Sequence, residues 1–327
     1  MRSTLFRHAL IGFVALLALA ACHNKEQEQA AQPGGETPEA AVQQSVTLIK
    51  TGDFAGFWKH ALPPADYATL RTDWPRQRPD QRPLTDEDRA DFNAKLKEFT
   101  EPGAEDKLFA QAKPKLTQLQ QEYNDQLPVL IGIMQGIAHA GIQQSKDMSA
   151  AQKKQAADIV NVVAPWAQQV NWFDQAKAKQ SIGVLVSTAR KLDLKGADQL
   201  RAMDFDIAMQ KYHIGFLGLK EVLGIYGLSV DDTLNSVKVS TLENAYGYAH
   251  VKIDYTLLGK PISTESTLVR LDDRWYSEDM LHNVREAHAR LNEPAPASSA
   301  PTPATSTPVM TVHAPAPASS ARPPAKR

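Results

Sequence analysis

The chain has 327 residues, 43% hydrophobic and 22% charged, an ordinary globular composition with room for one large domain or two small ones. Its formal net charge of −1, with no basic stripe interleaved with aromatics, argues against nucleic acid as a partner. Its one cysteine, Cys22, excludes an intrachain disulfide, so the core has to hold by packing.

Arg2, Arg7 and His8 precede an apolar run from Ala9 to Ala20, interrupted only by Gly12. A basic start and a short apolar stretch form the pattern of a secretory signal, and the run is shorter than the ~20 residues of a membrane span. It ends in Leu19-Ala20-Ala21-Cys22, which resembles the lipobox of bacterial lipoproteins. The resemblance implies that residues 1–21 are a signal peptide, cut between Ala21 and Cys22. It also implies acylation of Cys22, which is then the lipid attachment site and the link to the membrane. Two or three acyl chains hold firmly where one binds marginally. In that family an aspartate after the cysteine favours the inner membrane. His23 stands there instead, so the expected address is the outer membrane, facing the periplasm. Loss of Arg2 and Arg7 with the leader takes the net charge to −3.

Residues 22–36 are polar, with Pro33-Gly34-Gly35, and are expected to form a flexible tether. Residues 37–235 read as helical. Thr37-Pro38-Glu39 is an N-cap, a proline at the first helical position and a first-turn acid; Val42, Val46 and Ile49 follow at helical spacing, and Gly52 closes the helix. Asp53 opens a second helix stopped by Pro63-Pro64, and a third runs from Ala65 to Trp74. Residues 75–83 are an extended connector. Thr85 to Asp88 is a capping-box-like start of a helix to about Phe99. Further helices are expected to about Tyr123, over 127–144, from Ser149 with a bend or end at Pro165, after Asn171 or Asp174, and from about Asp204 to Tyr226.

The period changes near Ser236. Ala249, Val251, Ile253, Tyr255 and Leu257 alternate with polar residues, the mark of a strand with one buried face. Gly259-Lys260 is expected to turn the chain, and Asp272-Asp273 to turn it again before Arg274 to Ser277. Residues 236–280 therefore form a three- to four-stranded antiparallel meander packed on the helices. A short helix within 281–292 follows, and 293–327, rich in Ala, Pro, Ser and Thr, reads as a disordered tail. The fold class is α+β, a mainly helical body closed by a meander.

Sequence motifs for catalysis, nucleotide phosphates, metals or cofactors do not occur. Eight histidines besides His8 are scattered, and no pair sits at the i,i+4 spacing that stacks two ligands on a helix. His139, in the most apolar helix, reads as a core histidine bonded to a neighbouring helix. Gly132 and Gly136, and the glycines of Ile214 to Gly227, read as close contacts between buried bundle helices. Asp231-Asp232 and Asp272-Asp273 read as a cap and a turn rather than calcium ligands. Arg322, Lys326 and Arg327 end the chain as a solvated basic tip.

Residues 39–62, two helices joined through Thr51-Gly52-Asp53-Phe54, resemble the opening of small NTF2-like lipoproteins. The segment Leu268 to Tyr276 is similar to their closing hairpin, with Asp273 where those usually carry glycine. The resemblance covers about a quarter of the chain and implies a cone-shaped pocket. The whole also resembles envelope lipoproteins of Gram-negative, xanthomonad-type bacteria, which brings no activity with it. The leading expectation is a non-enzymatic lipoprotein that binds an envelope protein partner or an apolar ligand. An envelope enzyme, built on acids and His213 near the helical–meander junction, is the alternative, and a structural spacer a third. A polar cleft of clustered carboxylates or histidines would favour the enzyme; an apolar groove or patch above a few hundred Å² would favour the binder.

Overall fold

The computed structural model describes residues 32–76, 83–146 and 148–293. The leader, Cys22, most of the expected tether and the tail from 294 lie outside them.

Helix α1 (Pro38–Thr51) starts as its sequence dictates. The Thr37 hydroxyl accepts from the Ala40 N–H at 3.1 Å, and Pro38 gives up an N–H that would have no partner there. Gly52, at φ +73°, closes the helix with its N–H turned back to Ile49. The Asp53 carboxylate caps α2 (Phe54–Ala61) through the Gly56 N–H at 2.8 Å. Then come α3 (Pro64–Asp73), α4 (Asp86–Thr100), α5 (Ala104–Tyr123), α6 (Leu127–Gln144), α7 (Ala150–Gln169), α8 (Gln175–Leu192), α9 (Ala197–Ala202), α10 (Phe205–Ile225) and α11 (Val230–Asn235). Reciprocal capping boxes open α4 (Thr85 with Asp88) and α7 (Ser149 with Gln152). Helix α7 runs on through Pro165 to Gln169, so of the expected bend or end the end does not occur. Helix α9 carries no periodic signal of its own and is a tertiary feature.

The meander is β1 (Lys238–Ala245), β2 (Tyr248–Leu257), β3 (Lys260–Leu271) and β4 (Arg274–Ser277), antiparallel throughout and in the order β1-β2-β3-β4. Each connection is a two-residue turn with both residues at positive φ: Tyr246-Gly247, Leu258-Gly259 and Asp272-Asp273. That geometry matches the right-handed twist of the flanking strands. The β2–β3 turn is Leu258-Gly259, one residue earlier than Gly259-Lys260, because Leu257 pairs with Lys260. The meander ends at Ser277, and α12 (Glu278–Asn292) begins at once, so the closing helix is longer than the expected 281–292.

Ala249, Val251, Ile253, Tyr255 and Leu257 are all buried, as their alternation predicts. They pack with Val46 and Ile49 of α1, Ile159 of α7, Leu234 of α11 and Leu268 of β3 in one core. Gln155 of α7 donates to the Tyr255 hydroxyl at 3.0 Å inside it, and burial pushes that phenol up to about 12. A second cluster, built on Leu62, Met203, Phe205, Met209, Tyr276 and Leu281, joins α2, α10, β4 and α12.

One expectation fails at the N-terminus. Residues 33–36, read as the end of a tether, are docked. Gly35 exchanges two backbone hydrogen bonds with Trp275 (3.0 and 2.9 Å), extending the sheet beside β4, and Gly34 donates to the His60 carbonyl at 2.7 Å. Arg274 clamps the carbonyls of Pro33 and Gly34 at 2.9 and 2.8 Å. Buried His60 spans the junction, its ring nitrogens 2.8 Å from the Gln32 carbonyl and 2.9 Å from that of Ala41. Glycine is required here: a Cβ on Gly35 would lie 2.2 Å from the Ala41 nitrogen.

Candidate functional site

The most apolar helix is not in the core. Helix α6 contains no Asp, Glu, Lys or Arg from Leu127 to Gln144, and among its side chains only Ile142 is buried. Val129 is 64% exposed, Met134 61%, Ile137 58%, Ile133 55% and Leu130 42%. At 100° per residue these five fall within an arc of about 140°, one continuous face turned to solvent.

The opposite face shows why. It carries Gln135 and His139, whose side chains tie α6 to its antiparallel neighbour α7. Gln135 donates to the Asn161 side-chain amide oxygen Oδ1 at 3.2 Å, and His139 Nε2 lies 3.0 Å from the same oxygen. Gln168 donates to the Pro128 carbonyl at 3.1 Å, and Lys153 to the Gln143 carbonyl at 3.1 Å. Four polar ties, each worth roughly 0.5–1.5 kcal/mol net, are thus spread along the helix. Helix α7 in turn presents Ile159, Val162, Val163 and Trp166 to the sheet core, which fixes the hairpin to the body. Five large apolar side chains left this exposed forgo on the order of 1 kcal/mol each, and whatever covers them recovers it.

This corrects two expectations. Helix α6 is not a buried bundle helix, and its glycines do not make a close helix contact: a Cβ on Gly136 or Gly141 would meet nothing within 4 Å, and one on Gly132 would only touch Gln168. His139 is bonded to the neighbouring helix as expected, but at the half-exposed edge of the hairpin rather than in a core. The signal that distinguishes the faces was present: Gln135 and His139 stand four apart in an uncharged run, so they form a polar stripe of their own.

The other singled-out residues serve structure or lie elsewhere. Ala21, Cys22, Arg322, Lys326 and Arg327 are outside the described residues. His213 on α10 faces the Gly52 carbonyl at 3.2 Å, holding the α1–α2 turn. Asp231 pairs with Lys220 at 2.5 Å, and the Asp232 N–H donates to the Ser229 hydroxyl at the start of α11. Asp272 and Asp273 form the β3–β4 turn, with Asp273 paired to Arg270 at 3.0 Å. Buried Asp73 takes Arg76 at 3.1 Å and His288 at 2.6 Å. Among the described residues no three or more His, Cys, Asp or Glu side chains stand together as metal ligands, and no helix is long and apolar enough to cross a membrane.

Two open hollows lie on the sheet. One, of about 410 Å³, is lined by Glu243, Tyr248, His250 and Thr267. The other, of about 530 Å³, lies between the sheet and α12, with Val269, Leu271, His282 and Arg285 in its walls. His250 meets Glu265 at 2.8 Å and His282 meets Glu286 at 3.7 Å, each an exposed surface pair. The inner face of the sheet, where a cone-shaped pocket would open, is filled by the side chains of α1, α7 and α11.

Comparison of the chain with protein-family models, curated proteins and solved structures finds no match.

Proposed function

We propose that the mature chain is a lipid-anchored envelope protein, facing the periplasm from the outer membrane, that acts by binding through the outward face of α6. The observation that carries the binding reading is the inverted placement of this helix: Gln135 and His139 are spent on α7, and the hydrocarbon face is presented to the surroundings. Five such side chains make a patch on the order of a few hundred Å², the size at which an exposed apolar surface marks an interaction site. The anchoring reading rests on the leader and Leu19-Ala20-Ala21-Cys22. The alternative of an envelope enzyme draws less support, because His213 and Asp231 are engaged in separate structural contacts.

Both parts can be tested in intact cells. Palmitate labels the wild-type chain, and Cys22→Ser removes the label and releases the protein from the membrane fraction. A photo-reactive residue at Ile137 crosslinks to a discrete apolar target, whereas one at exposed Thr72 of α3 does not. Label retained in Cys22→Ser refutes the anchor. Equal crosslinking from the two positions refutes the docking surface.

A further inference from the structure

We infer that the apolar face of α6 rests on a lipid bilayer, giving the protein a second membrane contact besides its acyl chains. This deepens the proposed function and rests on anchoring at Cys22. Three features favour hydrocarbon over a protein as the occupant. The first is chemistry. The face is Val129, Leu130, Ile133, Met134 and Ile137, without the Trp, Tyr or Arg anchors on which protein interfaces concentrate their binding energy. A patch of a few hundred Å² also falls short of the roughly 800 Å² a side of a stable protein interface, whereas acyl chains demand no matching shape.

The second is orientation. A helix lying in a membrane interface buries its apolar face some 5–10 Å into the boundary of headgroups and acyl chains. Helix α6 is 18 residues long, about 27 Å, and Gln135 and His139 are already bonded on the far side. Nothing charged has to be dehydrated for its outward face to enter. The charges that flank it lie beyond its two ends. Glu122 and Asp125 precede the helix, Lys146 and Asp147 follow it in sequence, and Lys153 sits against its last turn.

The third is distance. Because residues 33–36 are docked on Trp275 and His60, the body begins at once after Gln32. The chain from Cys22 to Gln32 spans at most about 35 Å even when fully extended. An acylated chain on so short a leash keeps its body close to the bilayer, so lipid is the apolar surface at hand for an exposed hydrocarbon face.

The test uses the mature chain carrying Cys22→Ser, which cannot be acylated and has no other cysteine. Met134→Cys on the α6 face, or Thr72→Cys on exposed α3 as a control, carries an environment-sensitive fluorophore. Vesicles of phosphatidylethanolamine and phosphatidylglycerol are then added. The expected result is a blue shift at position 134 and none at 72. Partition to vesicles should be at least about tenfold weaker in the Ile133→Ser, Ile137→Ser double variant, which alters only exposed side chains. Unchanged emission at position 134 overturns the inference. So does a shift that appears without vesicles, grows with protein concentration and accompanies a doubled mass, which assigns the face to a second copy. Anchoring is read separately by palmitate labelling of the wild type. A labelled chain whose unacylated form ignores vesicles loses only the helix contact, and an unlabelled chain that binds them loses only the anchor.

Discussion

The sheet-centred body and the α4–α6 segment treat apolar side chains in opposite ways. In the body, Val46, Ile49, Leu234, Val251, Leu257 and Leu268 are all within 2% of complete burial, drawn from four helices and strands that close on one another. In the helical segment, α4 has no buried residue, α5 has only Ala104 and α6 only Ile142. Yet α6 is the more apolar sequence by any count of its charged residues. Hydrophobicity therefore did not decide burial; the availability of a second covering layer did. The sheet has α1, α7 and α11 over its inner face, while α6 has α7 on one side and no described element over the other.

The contrast can be broken by mutation. Leu268→Ala deletes a fully buried side chain of β3 and should cost about 3–4 kcal/mol, read as a lowered urea midpoint with an unchanged slope. A loss below about 1 kcal/mol would show that the body is as loosely packed as the helical segment.

The next largest effect is at the polar contact inside that core. Tyr255→Phe strands the buried Gln155 amide and should cost about 1–2 kcal/mol at neutral pH. Burial raises the phenol from 10.0 to about 12, so the folded state holds this proton more tightly than the unfolded one. The stability this confers is fully present below pH 10 and is lost as pH rises from 10 to about 12. The gap between wild type and Tyr255→Phe should accordingly narrow over that range, as measured by urea unfolding at a series of pH values. A gap that stays constant would mean that the hydroxyl is hydrated in the folded protein.

The smallest effect sharpens the other side. Ile133→Ser or Ile137→Ser, made singly, should change the stability of the soluble chain by less than about 0.5 kcal/mol. A cost above about 1.5 kcal/mol would mean that this face is covered in solution, by a second copy or by the chain itself.

Much of the fold was legible because it is written in short-range chemistry. The caps at Thr37, Asp53, Thr85, Ser149 and Asp204 mark helix starts that an unsatisfied N–H would otherwise forbid. The alternation from Ala249 to Leu257 names the buried face of β2 residue by residue. Less of the candidate site was legible. The segment holds a polar stripe at Gln135 and His139 and an apolar arc at positions 129 to 137, but a helix with two such faces does not say which one meets the protein, and its apolar content alone reads as a buried helix. Asn161, twenty-two positions past His139, decides it. The docking of Pro33 to Glu36 was hidden for a similar reason: a Pro-Gly-Gly run has no side chains to signal contact, and its hydrogen bonds are to Trp275 and His60, far away in the chain.

What the sequence determined by itself is local: the placement of helices α1 to α8 and the period-two meander. Which apolar face is covered and which is left open was decided only in the tertiary structure. Burial depends on two surfaces, and only one of them is encoded in any single segment.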